Sequence, residues 1–240
     1  MNEHTLSMRL ERVAANVPLG ARLADIGSDH GYLPVALMRR GLIVAAVAGE
    51  VATTPFHAAQ RTVRDNDLEP RIAVRLADGL AAIEPRDGIT AISVCGMGGE
   101  TIRDILERGK AYLNGQERLI LQPNGGEQPL RHWLMDNGYS ILHEELLREN
   151  RFYYEIIVAE RARPVAYTAE QLYFGPLQMQ ARSSVFLAKW QRMLSQKRKT
   201  LVSLKHARQA VPEDTVQVIA RQVVWINALL SGYVEVEAGG

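Results

Sequence analysis

The sequence predicts an α/β protein built on a mostly parallel β-sheet, and three observations carry that prediction. Short apolar runs rich in Ala, Val and Ile alternate with helix-spaced segments up to about residue 125. Several of these runs are apolar at consecutive positions, as strands covered on both faces must be. They end in small or polar residues: Asp25, Gly49-Glu50, Asp78-Gly79, Gly96 to Gly99 and Pro123-Asn124. In an open parallel sheet all these carboxyl ends share one rim, which is where ligands bind.

The elements follow in order. Leu6, Leu10, Val13 and Val17 form a helical stripe over Thr5–Val17 that Pro18 ends. Arg9 and Arg12 fall beside it, on a face that reads first as solvated and second as substrate-binding. Ala21 to Asp25 makes the first strand, Gly27 to Gly31 a turn, and Leu33 to Arg40 a helix stopped by Gly41. Leu42–Ala48 (LIVAAVA) is the second strand. A helix over Thr54–Asn66 follows, with Pro55 in its first turn. Arg71–Leu76, Ile89–Cys95 and Arg118–Leu121 read as the third, fourth and fifth strands, with helices at Glu100–Glu107 and Leu130–Asn137. Tyr139–Leu147 and Arg151–Ala159 read as two final strands joined by a polar turn, so an antiparallel edge strand is expected.

A domain boundary is expected near Pro164, giving residues 1–162 as one domain and 163–240 as a second. In the second, Pro176–Ala210 and Glu213–Leu230 have helical spacing around Val211-Pro212. Leu187, Trp190, Leu194, Leu201 and Leu204 can face Val216, Ile219, Val223, Ile226 and Leu230, as in an antiparallel, coiled-coil-like hairpin.

Over 240 residues, 47% hydrophobic and 23% charged content fit a soluble globular protein. A single cysteine, Cys95, excludes an intramolecular disulfide framework and suits a reducing compartment. Without a signal-like or membrane-length apolar segment, the chain is expected to be cytoplasmic, with no membrane or metal partner and a monomeric state. The net charge of +1 hides an asymmetry. Arg182, Lys189, Arg192, Lys197, Arg198, Lys199, Lys205 and Arg208 fall between Pro176 and Ala210, where there is no acid. The rest of the chain is net acidic, and such a split suits a polyanion-binding appendage on a neutral catalytic body; a merely solvated basic helix is the plainer alternative.

The turn Asp25-Ile26-Gly27-Ser28-Asp29-His30-Gly31 decides the ligand class. It lacks the G-x-G-x-x-G fingerprint and puts a carboxylate where phosphate would be repelled, which disfavours a nicotinamide dehydrogenase. An acid there suits a cationic ligand. S-adenosylmethionine carries an ammonium and a sulfonium and no phosphate. Glu50, about 20 residues beyond Gly31, stands where an acid grips ribose hydroxyls, and Asp78 is placed to accept from an adenine amino group.

Taken in order, LADIGSDHGYLP, AGEV, ADGL, GMGGE, LILQPN, LRHWLMDNGY and YYEIIVAE resemble the bacterial tRNA (adenine(22)-N(1))-methyltransferase family over roughly residues 5 to 160. The resemblance implies a Rossmann-like class I methyltransferase with a seven-stranded, mostly parallel sheet, S-adenosylmethionine as donor, and N1 of an adenine in the D-arm region of tRNA as acceptor. It carries cofactor binding onto Asp25, Gly27, Ser28, Asp29, His30 and Gly31, onto Glu50 and Val51, onto Asp78 and Gly79, and onto Gly96, Met97, Gly98 and Gly99. GMGG stands where amino-directed methyltransferases carry Asn/Asp-Pro-Pro-Tyr, in agreement with a ring-nitrogen target.

Two catalytic candidates follow. Asp29 replaces a glycine of the usual turn and points near the methyl group, with helix capping or ammonium binding as the alternative. Asn124 faces the target base or is a plain turn residue. Tyr32 and His30 can line the adenine pocket, His30 equally as a structural hydrogen-bonder. N1 lies on the Watson–Crick edge, so the base must be unpaired or flipped, and its flanking phosphates need cations. Arg9, Arg61, Arg182, Lys189, Arg192, Lys197 and Lys199 are the candidates. Competing readings are a methyltransferase for another RNA or a small molecule, and a non-catalytic RNA-binding module.

Overall fold

A computed structural model describes residues 3–163, 165–205 and 212–237. Pro164, Arg208 and Val211, on which parts of the sequence reading rest, fall outside the described residues. The strands are β1 (Ala21–Ile26), β2 (Ile43–Glu50), β3 (Ile72–Leu76), β4 (Ala91–Met97), β5 (Arg118–Pro123), β6 (Tyr139–Glu149) and β7 (Phe152–Arg161). The helices are α1 (Met8–Ala14), α2 (Tyr32–Arg39), α3 (Thr53–Arg64), α4 (Gly99–Arg108), α5 (Glu127–Asp136), α6 (Ala169–Phe174), α7 (Pro176–Ala181), α8 (Ser184–Lys205) and α9 (Glu213–Glu237).

The strands form one seven-stranded sheet in the order β3-β2-β1-β4-β5-β7-β6. The pairs from β3 to β5 are all parallel. The strand order reverses between β1 and β4, and the crevice at such a switch point is the standard ligand position. Two apolar layers cover the sheet. One includes Leu10 and Val13 of α1 with Leu33 and Leu37 of α2; the other includes Ile102 and Leu106 of α4 with Leu130 and Leu134 of α5.

The expected antiparallel edge strand is corrected in position. β7 is the antiparallel strand, but it lies between β5 and β6, and β6 forms the edge. Helix α5 carries the chain across so that β6 runs parallel to β5 one place out, and the tight turn after Glu149 folds β7 into the gap. Burial agrees: Ile156, Ile157, Val158 and Ala159 are almost fully covered, whereas β6 exposes Leu142 and His143.

The chain divides into two compact units, residues 1–179 and 180–240, so the first unit runs past the expected boundary at 162. The reason is a buried charge cluster. Arg131 of α5, 0% exposed, donates from Nε to Glu144 at 2.7 Å and from Nη2 to Glu155. The second Glu144 oxygen accepts the backbone N–H of Leu177 at 2.8 Å. A Cβ on Gly175 would fall 2.7 Å from Arg131 Nη2, so glycine lets the chain pass over the cluster. Thr168 caps α6 through Gln171 N–H, and Leu172 and Phe174 are buried.

In the second unit, Arg182 just before α8 reaches the Leu229 carbonyl late in α9, while Lys197 reaches Gln222 in its middle, so the helices run antiparallel. Phe186, Leu187, Trp190, Ile226 and Leu229 are buried. Leu194, Leu201, Leu204, Val216, Ile219, Val223 and Leu230, expected in the same seam, are only partly covered.

Candidate functional site

The carboxyl ends of β1, β2 and β4 open into a cleft of about 360 Å³, lined by Asp25, Gly27, Ser28, Asp29, Glu50, Cys95, Gly96 and Met97, with Arg9, Leu10, Tyr32, Leu33 and Pro55 from the flanking helices. Asp25, 4% exposed, is held on both oxygens: Ser28 Oγ donates to Oδ2 and Ser93 Oγ to Oδ1, each at 2.6 Å. Burial pushes its carboxyl above the ordinary value, with the two serines and the Arg9 charge pulling the other way. Glu50, also buried, accepts the backbone N–H of Asp29. Burial raises its carboxyl too, and the charges of Asp29 and Asp25 add to the rise. Burial and the Asp25 charge raise the Cys95 thiol, which disfavours the thiolate that a nucleophile would need.

Asp29 and Gly27 have left-handed backbones, at φ 56° and 70°. For Asp29 that conformation aims the N–H at Glu50 and leaves the carboxylate 68% exposed at the cleft mouth, 3.6 Å from His30 Nε2. The His30 and Tyr32 rings stack at 5.1 Å with a 10° tilt. Tyr32 faces the cleft, whereas His30 does not line it. A Cβ on Gly27 would lie 2.0 Å from Met97 Cε, so only glycine lets the Met97 side chain pack against this turn.

Beyond Met97 lies a smaller hollow of about 170 Å³, lined among others by Gly27, Gly49, Val51, Asp78, Gly79 and Met97. Gly27 and Met97 belong to both spaces, so an elongated ligand crossing them would have one end near Asp25 and the other near Asp78. The Asp78 carboxylate is exposed and stands 3.6 Å from Arg108.

The remaining predicted residues take other places. Gly31 starts α2 at φ 72° and closes on Ala59. Gly98 and Gly99 line neither hollow. The Gly99 N–H donates to the Gly125 carbonyl at 2.7 Å, and a Cβ there would lie 2.0 Å from the Gly126 oxygen, so this glycine joins two rim loops. Asn124 does the same: Nδ2 donates to the Gly96 carbonyl at 2.9 Å, while its Oδ1 accepts from Gln122 at 3.1 Å.

Arg9 is not on a solvated face. Its Nη1 donates to Gln122 Oε1, and its guanidinium lies 5.5 Å from the Tyr154 ring centre. Arg61 is exposed on the last turns of α3 and does not line the cleft. In the second unit, Arg182 donates to the Leu229 carbonyl at 2.6 Å, and Lys197, its ammonium lowered by burial, donates to Gln222 at 2.6 Å. Lys189 lies 5.3 Å from the Trp190 ring centre, and Arg192 and Lys199 are exposed. The acid-free stretch therefore spends part of its charge inside the hairpin. Ser93 and Gln122 were missed by sequence reading. Their only signal is polarity inside apolar strands, at positions 0% exposed.

Comparison with known proteins tests the assignment. A family model described as tRNA (adenine(22)-N(1))-methyltransferase matches residues 23–226. The tRNA (adenine(22)-N(1))-methyltransferase of Bacillus subtilis (strain 168) is 43% identical over 195 residues, covering 79% of this chain and 82% of that protein. The crystal structure of the B. subtilis m1A22 tRNA methyltransferase superposes with a TM-score of 0.88 at 34% identity, covering 95% of this chain and 99% of that one. A Streptococcus pneumoniae protein solved in complex with S-adenosyl-L-methionine is 41% identical, with a TM-score of 0.86 over 94% of this chain and 100% of its own. The cleft with its two buried acids, the sheet order and these matches across both units agree: the chain belongs to the tRNA (adenine(22)-N(1))-methyltransferase family.

Proposed function

We propose that the chain transfers a methyl group from S-adenosylmethionine to N1 of adenine 22 of tRNA. One observation carries the cofactor assignment. Three carboxylates (Asp25, Glu50 and Asp29) line a cleft whose one lining cation among the described residues is Arg9, and two of the three are buried. Such a space favours a cationic ligand and repels a pyrophosphate. Gly27 and Met97 border both hollows, so an elongated ligand lies along them from one hollow to the other.

When bound, S-adenosylmethionine supplies an electrophilic methyl group on a sulfonium. Asp25 would hold the cationic end of the ligand, Glu50 its ribose hydroxyls, and Asp78 with Val51 and Gly79 its adenine end. Adenine N1 already has an in-plane lone pair, so the residues need to create no nucleophile; they need to place one. Fixing that geometry supplies up to about 7–11 kcal/mol of the barrier reduction. Tyr32 offers a ring against which the extruded base lies. The adenine gains positive charge as it is methylated, and the Asp29 carboxylate at the mouth stabilises that charge and accepts a proton from the exocyclic amine. Asn124 acts by holding the β4 and β5 loops together, as a positioning residue. Exposed cations of the second unit, Arg192 and Lys199 foremost, contact tRNA phosphates.

The test is transfer of labelled methyl to unmodified tRNA transcripts, with the modified nucleotide mapped by mass spectrometry. Label at N1 of adenine 22, abolished when that base is changed to guanine, is the expected result. Label at another nucleotide, or none, would overturn the assignment.

A further inference from the structure

Strands β6 and β7 run on past the sheet. In the register Leu119↔Ala159 and Leu121↔Ile157, the level of Pro123 corresponds to Glu155. Phe152 therefore stands three residues beyond the carboxyl end of β5, a projection of about 10 Å. This is the rim that carries the cleft. The turn is tied down there: Asn150 adopts φ 57°, Arg148 Nε donates to the Asn150 carbonyl at 3.2 Å, and Glu149 accepts the Met8 N–H of α1 at 3.0 Å.

The tip has an unusual surface for the end of a hairpin. Phe152 is 52% exposed, and the Arg151 guanidinium lies 5.4 Å from its ring centre. On the other face, Arg148 lies 5.9 Å from the ring of its cross-strand partner Tyr153. The Phe152 ring is 6.3 Å from Tyr154, and Tyr154 carries the Arg9 guanidinium on its ring at 5.5 Å. Arg9 lines the cleft. A continuous track of aromatic and cationic groups thus runs from the hairpin tip to the place where Asp25 and Asp29 stand.

We propose that the β6–β7 tip is an RNA-binding element of the catalytic unit, distinct from the basic helices of the second unit. Phe152 stacks on a base next to the target nucleotide, and Arg148 and Arg151 contact the phosphates that flank it. The chemistry favours a nucleic acid over a protein. Each of the three rings is paired with an arginine: Phe152 with Arg151, Tyr153 with Arg148 and Tyr154 with Arg9. Rings interleaved with cations are what an unpaired strand needs, since every base has a π-face and every linkage a charge. An adenine extruded for N1 methylation unstacks from its neighbours, and a ring at the cleft edge replaces that lost stack. The inference rests on the tRNA substrate proposed above.

The experiment uses the full chain and an unmodified tRNA transcript, reading equilibrium binding across a salt series beside methyl transfer. F152A is expected to weaken tRNA binding about tenfold or more and to raise KM for tRNA, with affinity for S-adenosylmethionine and melting temperature unchanged. F152W restores both. R148Q/R151Q is expected to lower the slope of log K against log salt by about 1.4, two single-strand phosphate contacts. Unchanged tRNA affinity and salt slope in both variants would overturn the proposal. So would a shift in oligomeric state with tRNA affinity intact, which would make the tip a contact between copies. The two readings fail separately. A wild-type enzyme that binds the transcript in a Phe152-dependent way without methylating it overturns the activity and leaves the hairpin. One that methylates adenine 22 equally well with F152A does the reverse, and one that does not bind tRNA overturns both.

Discussion

Replacing Asp25 by Asn removes one charge from the floor of the cleft while keeping the shape of the side chain. Asp25 is 4% exposed and uses both oxygens to accept serine hydroxyls at 2.6 Å. Asn offers one acceptor and one donor, and a hydroxyl can rotate to accept from it, so the serine contacts survive. The charge matters in opposite ways to the two states of the enzyme. Burial raises the Asp25 carboxyl above its ordinary value in the folded protein. For an acid raised in the folded state, the stability contribution is fully present below the unfolded pKa and is lost as pH rises through the folded one. Above that folded pKa the ionised Asp25 therefore destabilises the ligand-free protein, and D25N should melt there at the same temperature or higher. A cationic ligand reverses the sign. Losing a charge-assisted hydrogen bond costs about 1.5–3 kcal/mol, so affinity for S-adenosylmethionine should fall roughly 10- to 150-fold. Titration calorimetry measures the affinity and differential scanning fluorimetry the melting temperature. Affinity within twofold of wild type would refute Asp25 as the cation-holding group. A lower melting temperature would refute the claim that its buried charge opposes folding.

Other perturbations test the rest of the structure. With Asp25 and Glu50 both raised in the free protein, binding a cation should release protons. Affinity for S-adenosylmethionine should then fall as pH drops through the range in which the two raised acids protonate, and calorimetry in buffers of different ionisation enthalpy should detect the release there; a pH-independent affinity would count against it. D29G keeps the left-handed backbone and removes only the carboxylate. It should reduce kcat at least about tenfold with the cofactor affinity retained, and near-normal turnover would reduce Asp29 to a turn residue. R131M strands Glu144 and Glu155 without their buried partner and should cost about 3–5 kcal/mol in chemical denaturation. R192Q/K199Q should flatten the salt dependence of tRNA binding more than K197Q, because Lys197 is partly committed to Gln222.

The strand–turn–helix from Leu23 to Pro34 and the acid after β2 were legible because local rules decide them. Alternation of apolar runs and helical stripes sets an α/β fold, parallel topology sends every strand's carboxyl end to one rim, and residues ending the strands must then meet there. The same rules bring Asp25, Gly27, Glu50 and Met97 to one rim, and all four line one cleft in the folded chain. The antiparallel strand was foreseen in kind but not in place, since hairpin connection fixes direction and not which strand lies outermost.

Tertiary structure alone decided the rest, and the reason is common to each case. A periodic pattern reports that a face is covered, not by what, and a charge count reports cations, not their partners. Arg9 sits beside an apolar stripe in sequence, yet the fold brings it to Gln122 of β5 and into the cleft. Ser93 is one polar residue in an apolar strand until β1 lies beside β4 and its hydroxyl meets Asp25. Arg182 and Lys197 count as phosphate-binding charge in the sequence, but pairing of α8 with α9 turns them toward Leu229 and Gln222. Residues decide their own strand or helix through nearest neighbours; their chemistry is decided by groups as many as 113 positions away, as for Arg9 and Gln122, which only the folded chain brings within hydrogen-bonding distance.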